Sequence, residues 1–330
     1  MSQSPILQLQ DVEVAFGPAK ILRGVSLDLY PGETLGVVGE SGCGKSMTGF
    51  AVMGMLPKPG KVTAGSIKLE GRELTTITPR EWLDVRGDQI ALVMQDPFTS
   101  LNPMMRVGEQ IAEALRLHQR MGKQEANRKA IDLLDQVGVP VPESSARKYP
   151  HQMSGGQRQR VVIAIAFACR PKVLIADEPT TALDVTLQAQ ILRLIREMQE
   201  REGTAVMLIS HDIGVIGALS KRVAVFYAGR VVEIGEAHQV LLNPRHPYTT
   251  ALLSAMPTAG KTVLASLPGQ PPDLSTLGTG CAFAERCPVR CEKAELDPQL
   301  FPIPQSTDHA AACWRVESAT AELEETSRPQ

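Results

Sequence analysis

Gly39-Glu40-Ser41-Gly42-Cys43-Gly44-Lys45-Ser46 follows an apolar run from Thr34 and leads into a helical pattern that starts near Met47. The octet fits G-x-x-x-x-G-K-[ST], and a buried strand before it with a helix after it is the context that pattern requires. Gly39, Gly42 and Gly44 let the backbone curl so that successive N–H groups face phosphate oxygens. The helix start adds the positive end of its dipole. Lys45 supplies a point charge for the β and γ phosphates, and the Ser46 hydroxyl is a ligand for Mg²⁺. The bland alternative, a Gly-rich turn without a ligand, does not explain the strand and helix on either side.

Working outward, Pro31-Gly32-Glu33 makes a turn before the strand, and Leu7–Val14 and Leu22–Leu29 alternate as an antiparallel sheet does. Apolar runs recur at Ile90–Met94, Val173–Ala176, Val206–Ser210 and Val223–Tyr227. Helical patterns lie between them at Gly155–Cys169, Thr186–Glu202 and Asp212–Leu219, which predicts an α/β domain with a largely parallel sheet. Val107–Leu117 and Gln124–Val137 carry helix periodicity with no strand between, so about 97–170 reads as a helical insertion. The prolines after Pro257 mark a small loop-rich unit. The expected division is therefore 1–257, 258–315 and a polar, acidic tail over 316–330 without an apolar face.

The run Val173-Leu-Ile-Ala-Asp177-Glu178 ends in two carboxylates. A strand-end acidic pair alone is more often a solvated loop or a helix cap. Beside a phosphate loop, Asp177 reads as a Mg²⁺ holder acting through water, and Glu178 as the group that orients or deprotonates the attacking water. Ser154-Gly155-Gly156-Gln157 reads first as a capping box at a helix start. Its two glycines also leave bare N–H groups there, a second anion site that needs another nucleotide.

Ser154-Gly155-Gly156-Gln157 resembles the signature motif of ABC ATPases, and the order of the surrounding motifs is that family's. Gln95 resembles the Q-loop glutamine, Ala182-Leu183-Asp184 the D-loop, and His211 the switch histidine after a strand. Phe16 stands where the family stacks an aromatic on adenine. The resemblance implies an ABC-type P-loop ATPase with an antiparallel β subdomain, a helical insertion and a small loop-rich C-terminal domain. It implies head-to-tail dimers in which each ATP lies between one P-loop and the opposite signature motif, so that ATP favours the closed state. Gln95 then links the Mg²⁺ site to the helical insertion, where transporter subunits dock. Cys43 departs from the Ser or Ala usual in the loop and is expected to make the site sensitive to thiol reagents.

Asn243-Pro-Arg-His-Pro-Tyr-Thr249, placed after the last helical segment, and Leu267-Pro-Gly-Gln-Pro-Pro-Asp273 resemble the C-terminal extension of peptide and nickel importers. Gln95–Pro103 and Ala176–Asp184 also look like that family's versions of their motifs. The similarity is to D-type ATPase subunits of dipeptide and oligopeptide importers. It implies an F-type ATPase partner, two membrane permease subunits, an external peptide-binding protein, and a peripheral position at the cytoplasmic face of the membrane. Nickel or another small solute is the alternative cargo. A soluble ABC ATPase acting on ribosomes or DNA usually shows two nucleotide domains or a long coiled coil, and neither is visible. A non-catalytic sensor is disfavoured by the intact Lys45, Asp177, Glu178 and His211.

The composition agrees. With 330 residues, 43% hydrophobic, and a formal net charge of -2, the chain supports a large core and has no charge drive toward nucleic acid. No apolar run approaches the roughly 20 residues of a membrane span. The start lacks signal-peptide order, so the chain is expected to be cytoplasmic unless a partner holds it at a membrane. Four of the six cysteines crowd the C-terminal end as Cys281-x5-Cys287-Pro-x2-Cys291-x21-Cys313. Such clustering points to a metal or redox site more than to disulfides. The spacing suits a [4Fe–4S] cluster or a Cys₄ zinc site, and unligated thiols remain a third reading. The Cys-Pro step leans toward iron–sulfur, as the importer resemblance also implies. His309 is a possible substitute ligand, though it reads first as a surface loop histidine.

Overall fold

A computed structural model describes residues 4–181, 183–256, 267, 269–304, 306 and 308–316. The expected acidic tail beyond Val316, Ala182 of the D-loop, and Pro268 lie outside these residues.

The strands, in chain order, are β1 (Leu7–Phe16), β2 (Ala19–Leu29), β3 (Thr34–Val38), β4 (Lys61–Leu69), β5 (Arg72–Glu73), β6 (Ile90–Val93), β7 (Val173–Asp177), β8 (Ala205–Ile209), β9 (Arg222–Tyr227), β10 (Arg230–Glu236), β11 (Phe301–Pro302) and β12 (Ala310–Ala311). The helices are α1 (Lys45–Val52), α2 (Pro79–Val85), α3 (Pro97–Ser100), α4 (Val107–Gln119), α5 (Lys123–Gln136), α6 (Pro142–Ser145), α7 (Gly155–Phe167), α8 (Val185–Glu202), α9 (Ile213–Leu219), α10 (Ala237–Leu242) and α11 (Pro247–Ser254). The chain forms two compact units: Met1–Leu7, Leu29–Glu33 and Leu69–Leu208 make one; Gln8–Asp28, Thr34–Lys68 and Ile209–Gln330 make the other.

The first unit carries β6 and β7 in parallel register, Ile90 opposite Val173 through Val93 opposite Ala176, with β8 on the other side of β7. Every residue of β7 and β8 is buried, the signature of a sheet covered on both faces. Helices α3 to α7 run from Pro97 to Phe167 with no strand among them. Helix α7 is buried nearly all round, with Val161, Val162, Ile163, Ala164, Ala166 and Phe167 inside. Helix α8 forms because its buried residues Ile191, Leu192, Leu194, Ile195 and Met198 repeat at helical spacing. Asp184 caps its start, and Gly203 ends it in the left-handed conformation at φ 70°.

The second unit holds two sheets. One runs β2-β1-β4, and the other runs β11-β12-β10-β9-β3, with β3 and β9 parallel and the pairs from β9 outward antiparallel. A register shift between Val231 and Glu233 bulges β10. The Cys-rich extension attaches here through β12, where Ala311 lies opposite Glu233, and keeps a small core of Ile303, Ala311 and Val316 with Phe301 and Cys313 against it.

Two expectations need correction. Asn243–Thr249 does not follow the last helix, because α11 begins at Pro247, whose fixed φ suits a first helical turn. His309 is not on the surface. It is 4% exposed, and its Nε2 sits 2.7 Å from the buried Glu233 carboxylate, so its polar group is committed away from any metal.

Candidate functional site

The phosphate loop is built from glycines that the fold demands. A side chain at Gly39 (φ 152°) would meet the Phe226 carbonyl oxygen at 2.2 Å, and one at Gly44 (φ 106°) would meet Leu22 at 2.8 Å. Gly44 is the left-handed residue just before α1. Lys45, 6% exposed, donates from Nζ to the carbonyls of Gly39 and Glu40, each at 2.9 Å. Its ammonium is therefore held inside the curl of the loop. Ser46 and Met47 follow at the half-buried start of α1. Ser41 and Gly42 are exposed at the loop tip. Phe16 ends β1, half-buried, with its ring so close to Gly60 that a methyl there would touch it at 2.4 Å.

Cys43 lies against this lysine. Burial pushes its thiol pKa up, and the nearby Lys45 ammonium opposes that shift without cancelling it.

Glu40 is held from several sides. Its N–H donates to Tyr248 Oη at 2.9 Å. Its carboxylate accepts both arms of Arg286, from Nη1 at 2.7 Å and Nη2 at 2.9 Å. The Arg286 side chain is 6% exposed, and the carboxylate raises the already high pKa of its guanidinium. Neither Arg286 nor Tyr248 carries a sequence signal for this role; their partner lies more than 200 positions away in the chain.

In the other unit, β7 delivers Asp177, 8% exposed, to the strand end. Glu178 follows in the left-handed conformation at φ 47°, strained for a residue with a side chain. Its Oε2 accepts Gln95 Nε2 at 3.2 Å and Thr181 Oγ1 at 2.9 Å. Two residues singled out separately in the sequence, Gln95 and Glu178, are thus in contact, and Thr181 is a partner that no motif reading named. A carboxylate fixed by strain and two donors is suited to orient a water rather than to roam.

Ser154 and Gln157 form the expected capping box: Ser154 Oγ accepts the Gln157 N–H at 3.3 Å, and Gln157 Oε1 accepts the Ser154 N–H at 3.2 Å. Gly155 and Gly156 occupy the first turn between them. A methyl on Gly156 would strike Leu187 at 2.5 Å, so this glycine allows α7 to approach α8. Asp184 accepts the Leu187 N–H at 3.0 Å, a cap for α8. His211 follows β8 on an exposed turn, and Asp212 beside it caps α9.

Cys281, Cys287, Cys291 and Cys313 all line one cavity of about 30 Å³ beneath Trp314. Burial raises the thiol pKa of Cys281 and Cys313, and their neighbouring thiols push in the same direction. Among the described residues no three His, Cys, Asp or Glu side chains gather closely enough to hold a single metal ion.

No helix among the described residues is long and apolar enough to cross a membrane.

Comparison with known proteins gives the family. The family described as ABC transporter matches residues 22–181, and the family described as oligopeptide/dipeptide transporter, C-terminal region, matches residues 232–293. The oligopeptide transport ATP-binding protein OppD of Bacillus subtilis (strain 168) is 45% identical over 318 residues, covering 94% of this chain and 88% of that protein. The dipeptide transport ATP-binding protein DppD of Escherichia coli (strain K12) is 46% identical over 298 residues, covering 88% of this chain and 91% of its own. Among solved structures, a dimeric ATP-binding cassette in a post-hydrolysis state with ADP and Pi superposes with TM-score 0.63 at 28% identity, over 70% of this chain and 98% of that one. The chain belongs to the ATP-binding proteins of the ABC transporters, within the oligopeptide and dipeptide group.

Proposed function

We propose that this chain is the ATP-hydrolysing subunit that energises a di- or oligopeptide importer. The observation that carries this reading is the fixed Gln95–Glu178 pair at the end of β7 in a chain that also carries the peptide-transporter C-terminal region. The relatives named for oligopeptide and dipeptide transport support the cargo class.

Lys45 and the loop N–H groups from Gly39 to Ser46 bind the nucleotide phosphates, and Phe16 packs on the base. Ser46, Gln95 and Asp177 are the residues assigned to Mg²⁺, which when bound would neutralise charge on the phosphates. Glu178 holds and polarises the attacking water, with Gln95 and Thr181 fixing its carboxylate. His211 senses the terminal phosphate. The start of α7, Ser154 to Gln157, and Asp184 serve the nucleotide of a second ATPase subunit. We assign that subunit to a paralogue of the F type and the assembly to two permeases and an external peptide-binding protein, with this chain peripheral on the cytoplasmic side.

We also assign the four-thiol cavity to a [4Fe–4S] cluster. One zinc ion needs its four thiolates drawn tightly around a single centre at about 2.3 Å. The assignment rests on the Cys281-x5-Cys287-Pro-x2-Cys291-x21-Cys313 spacing and on the one cavity that these thiols line. When bound, such a cluster would staple the turns around Cys281, Cys287, Cys291 and Cys313 together.

The test is reconstitution of the chain with candidate permease subunits, measuring hydrolysis with and without peptide-loaded binding protein. Peptide-dependent stimulation is expected. Hydrolysis indifferent to both membrane subunits and peptide would overturn the importer reading.

A further inference from the structure

The phosphate loop and the Cys-rich extension belong to the same compact unit, and a chain of buried side chains joins them. At one end, Arg286 ends a short 3-10 turn, Ala284–Arg286, and immediately precedes Cys287. Phe283, at the start of that turn, packs edge-on against Tyr227 and Tyr248 with ring centroids 5.3 Å and 5.5 Å away. At the other end, Tyr248 accepts the Glu40 N–H, Arg286 grips the Glu40 carboxylate, and Lys45 donates to the Glu40 carbonyl. Arg286 also donates to Tyr227 Oη at 3.3 Å, which ties the grip to the last residue of β9.

Glu40 stands between Gly39 and Gly42, both at positive φ. A loop with such hinges has many conformations, and few of them aim its N–H groups at one phosphate. Fixing the N–H, the carbonyl and the carboxylate of the residue between the hinges removes most of that freedom before nucleotide arrives.

We infer that the turn between Cys281 and Cys287 is a positioning element for the phosphate loop, acting through its own Arg286 and through Tyr248 of α11, against which its Phe283 packs. Each acts through Glu40. The inference rests on the ATPase reading above.

The test is the ATP dissociation constant of the purified full-length chain, measured by calorimetry at a temperature well below unfolding. Arg286→Gln is expected to weaken ATP binding about tenfold, the order expected when a charge-assisted clamp that preorganises a loop is lost. Arg286→Lys, which keeps the charge and one contact, should recover part of that loss. Glu40→Gln should weaken binding similarly, and the double variant Arg286→Gln/Glu40→Gln should be no worse than either single one, because the two act as one unit. If Arg286→Gln does not fold, Tyr248→Phe carries the test by removing one hydroxyl, with an expected loss of about threefold. Wild-type affinity in both Arg286→Gln and Tyr248→Phe, even with a lowered melting temperature, would overturn the inference. Lys45→Ala separates the two levels of the argument. If wild type binds ATP and Lys45→Ala does not, silent Arg286→Gln and Tyr248→Phe variants sink the positioning role alone, whereas a wild type that binds no ATP sinks the ATPase reading itself.

Discussion

Two glycine-rich helix starts in this chain, Gly39–Ser46 and Ser154–Gln157, offer backbone N–H groups to an anion, and they are built in opposite ways. The first is anchored by buried residues beneath an exposed tip. Its lysine is 6% exposed, its glycines press against Phe226 and Leu22, and Glu40 is clamped by Arg286 and Tyr248. The second has an exposed Ser154 and caps itself, serine against glutamine, with no buried charge in the cap. The first site is held ready by the surrounding fold. The second spends its polar groups on one another until a ligand is brought to it. That contrast is what a motor closed by nucleotide requires: a firm grip on one side and a receptive face on the other.

The sharpest way to break the comparison is acid, because a site that depends on buried polar groups should fail when one of them must charge. His246 is fully buried beside the phosphate-loop clamp, and its Nδ1 accepts the Tyr248 N–H at 3.0 Å, which requires that nitrogen to be unprotonated. Burial lowers its pKa to about 4. The unfolded chain takes up the proton first, near pH 6.5, so the stabilisation is complete above that value. It is lost as pH falls from about 6.5 through about 4, a change on the order of 3 kcal/mol. His246→Asn keeps a capping acceptor and should lose this slope in denaturant midpoints measured from pH 7 to pH 4. Equal slopes in both proteins would contradict the account.

Cys43 gives a smaller effect on the same side. With its thiol pKa raised by burial, little thiolate exists near neutral pH, so alkylation by maleimide should run about tenfold slower than for an exposed cysteine and quicken as pH rises. ATPase activity should decline at that slow rate and not at once. Loss of activity as rapid as the labelling of an exposed thiol would show that the loop opens far more than its packing implies.

The smallest effect belongs to the self-capped start. Ser154→Ala removes one half of the capping box and should lower thermal stability by about 1 kcal/mol, with ATP binding to the isolated chain unchanged. A loss of ATP affinity in that variant would mean that the two glycine-rich starts are coupled within one chain.

Much of this was legible in the sequence, and the remainder was hidden for physical reasons. The phosphate loop could be read because positive φ at Gly39, Gly42 and Gly44 demands glycine at those positions. Strands β3, β7, β8 and β9 could be read because both faces are buried and, but for Thr34, Asp177, Arg222 and Tyr227 at their ends, their residues carry no polar side chain. Strand β4 is mostly exposed over its first half, so no alternation marks it, and the bulge in β10 breaks the period that would have shown that strand. Helix α11 hid behind Pro247, which a pattern reading takes as a loop residue although it is a natural first helical position. His309 with Glu233 and Arg286 with Glu40 are pairs made by the fold across long sequence distances. No local pattern announces such pairs, which is why the connection between the Cys-rich extension and the phosphate loop appears only in three dimensions.

The central claim is that Glu178, strained and bonded to Gln95 and Thr181, is the carboxylate that makes this chain a hydrolase. The direct measurement is Glu178→Gln, assayed for ATP binding and for turnover in the assembled transporter. The account predicts retained ATP affinity, a closed dimer that persists, and turnover reduced by at least about 100-fold, the contribution of a positioned general base. Turnover equal to wild type would contradict it.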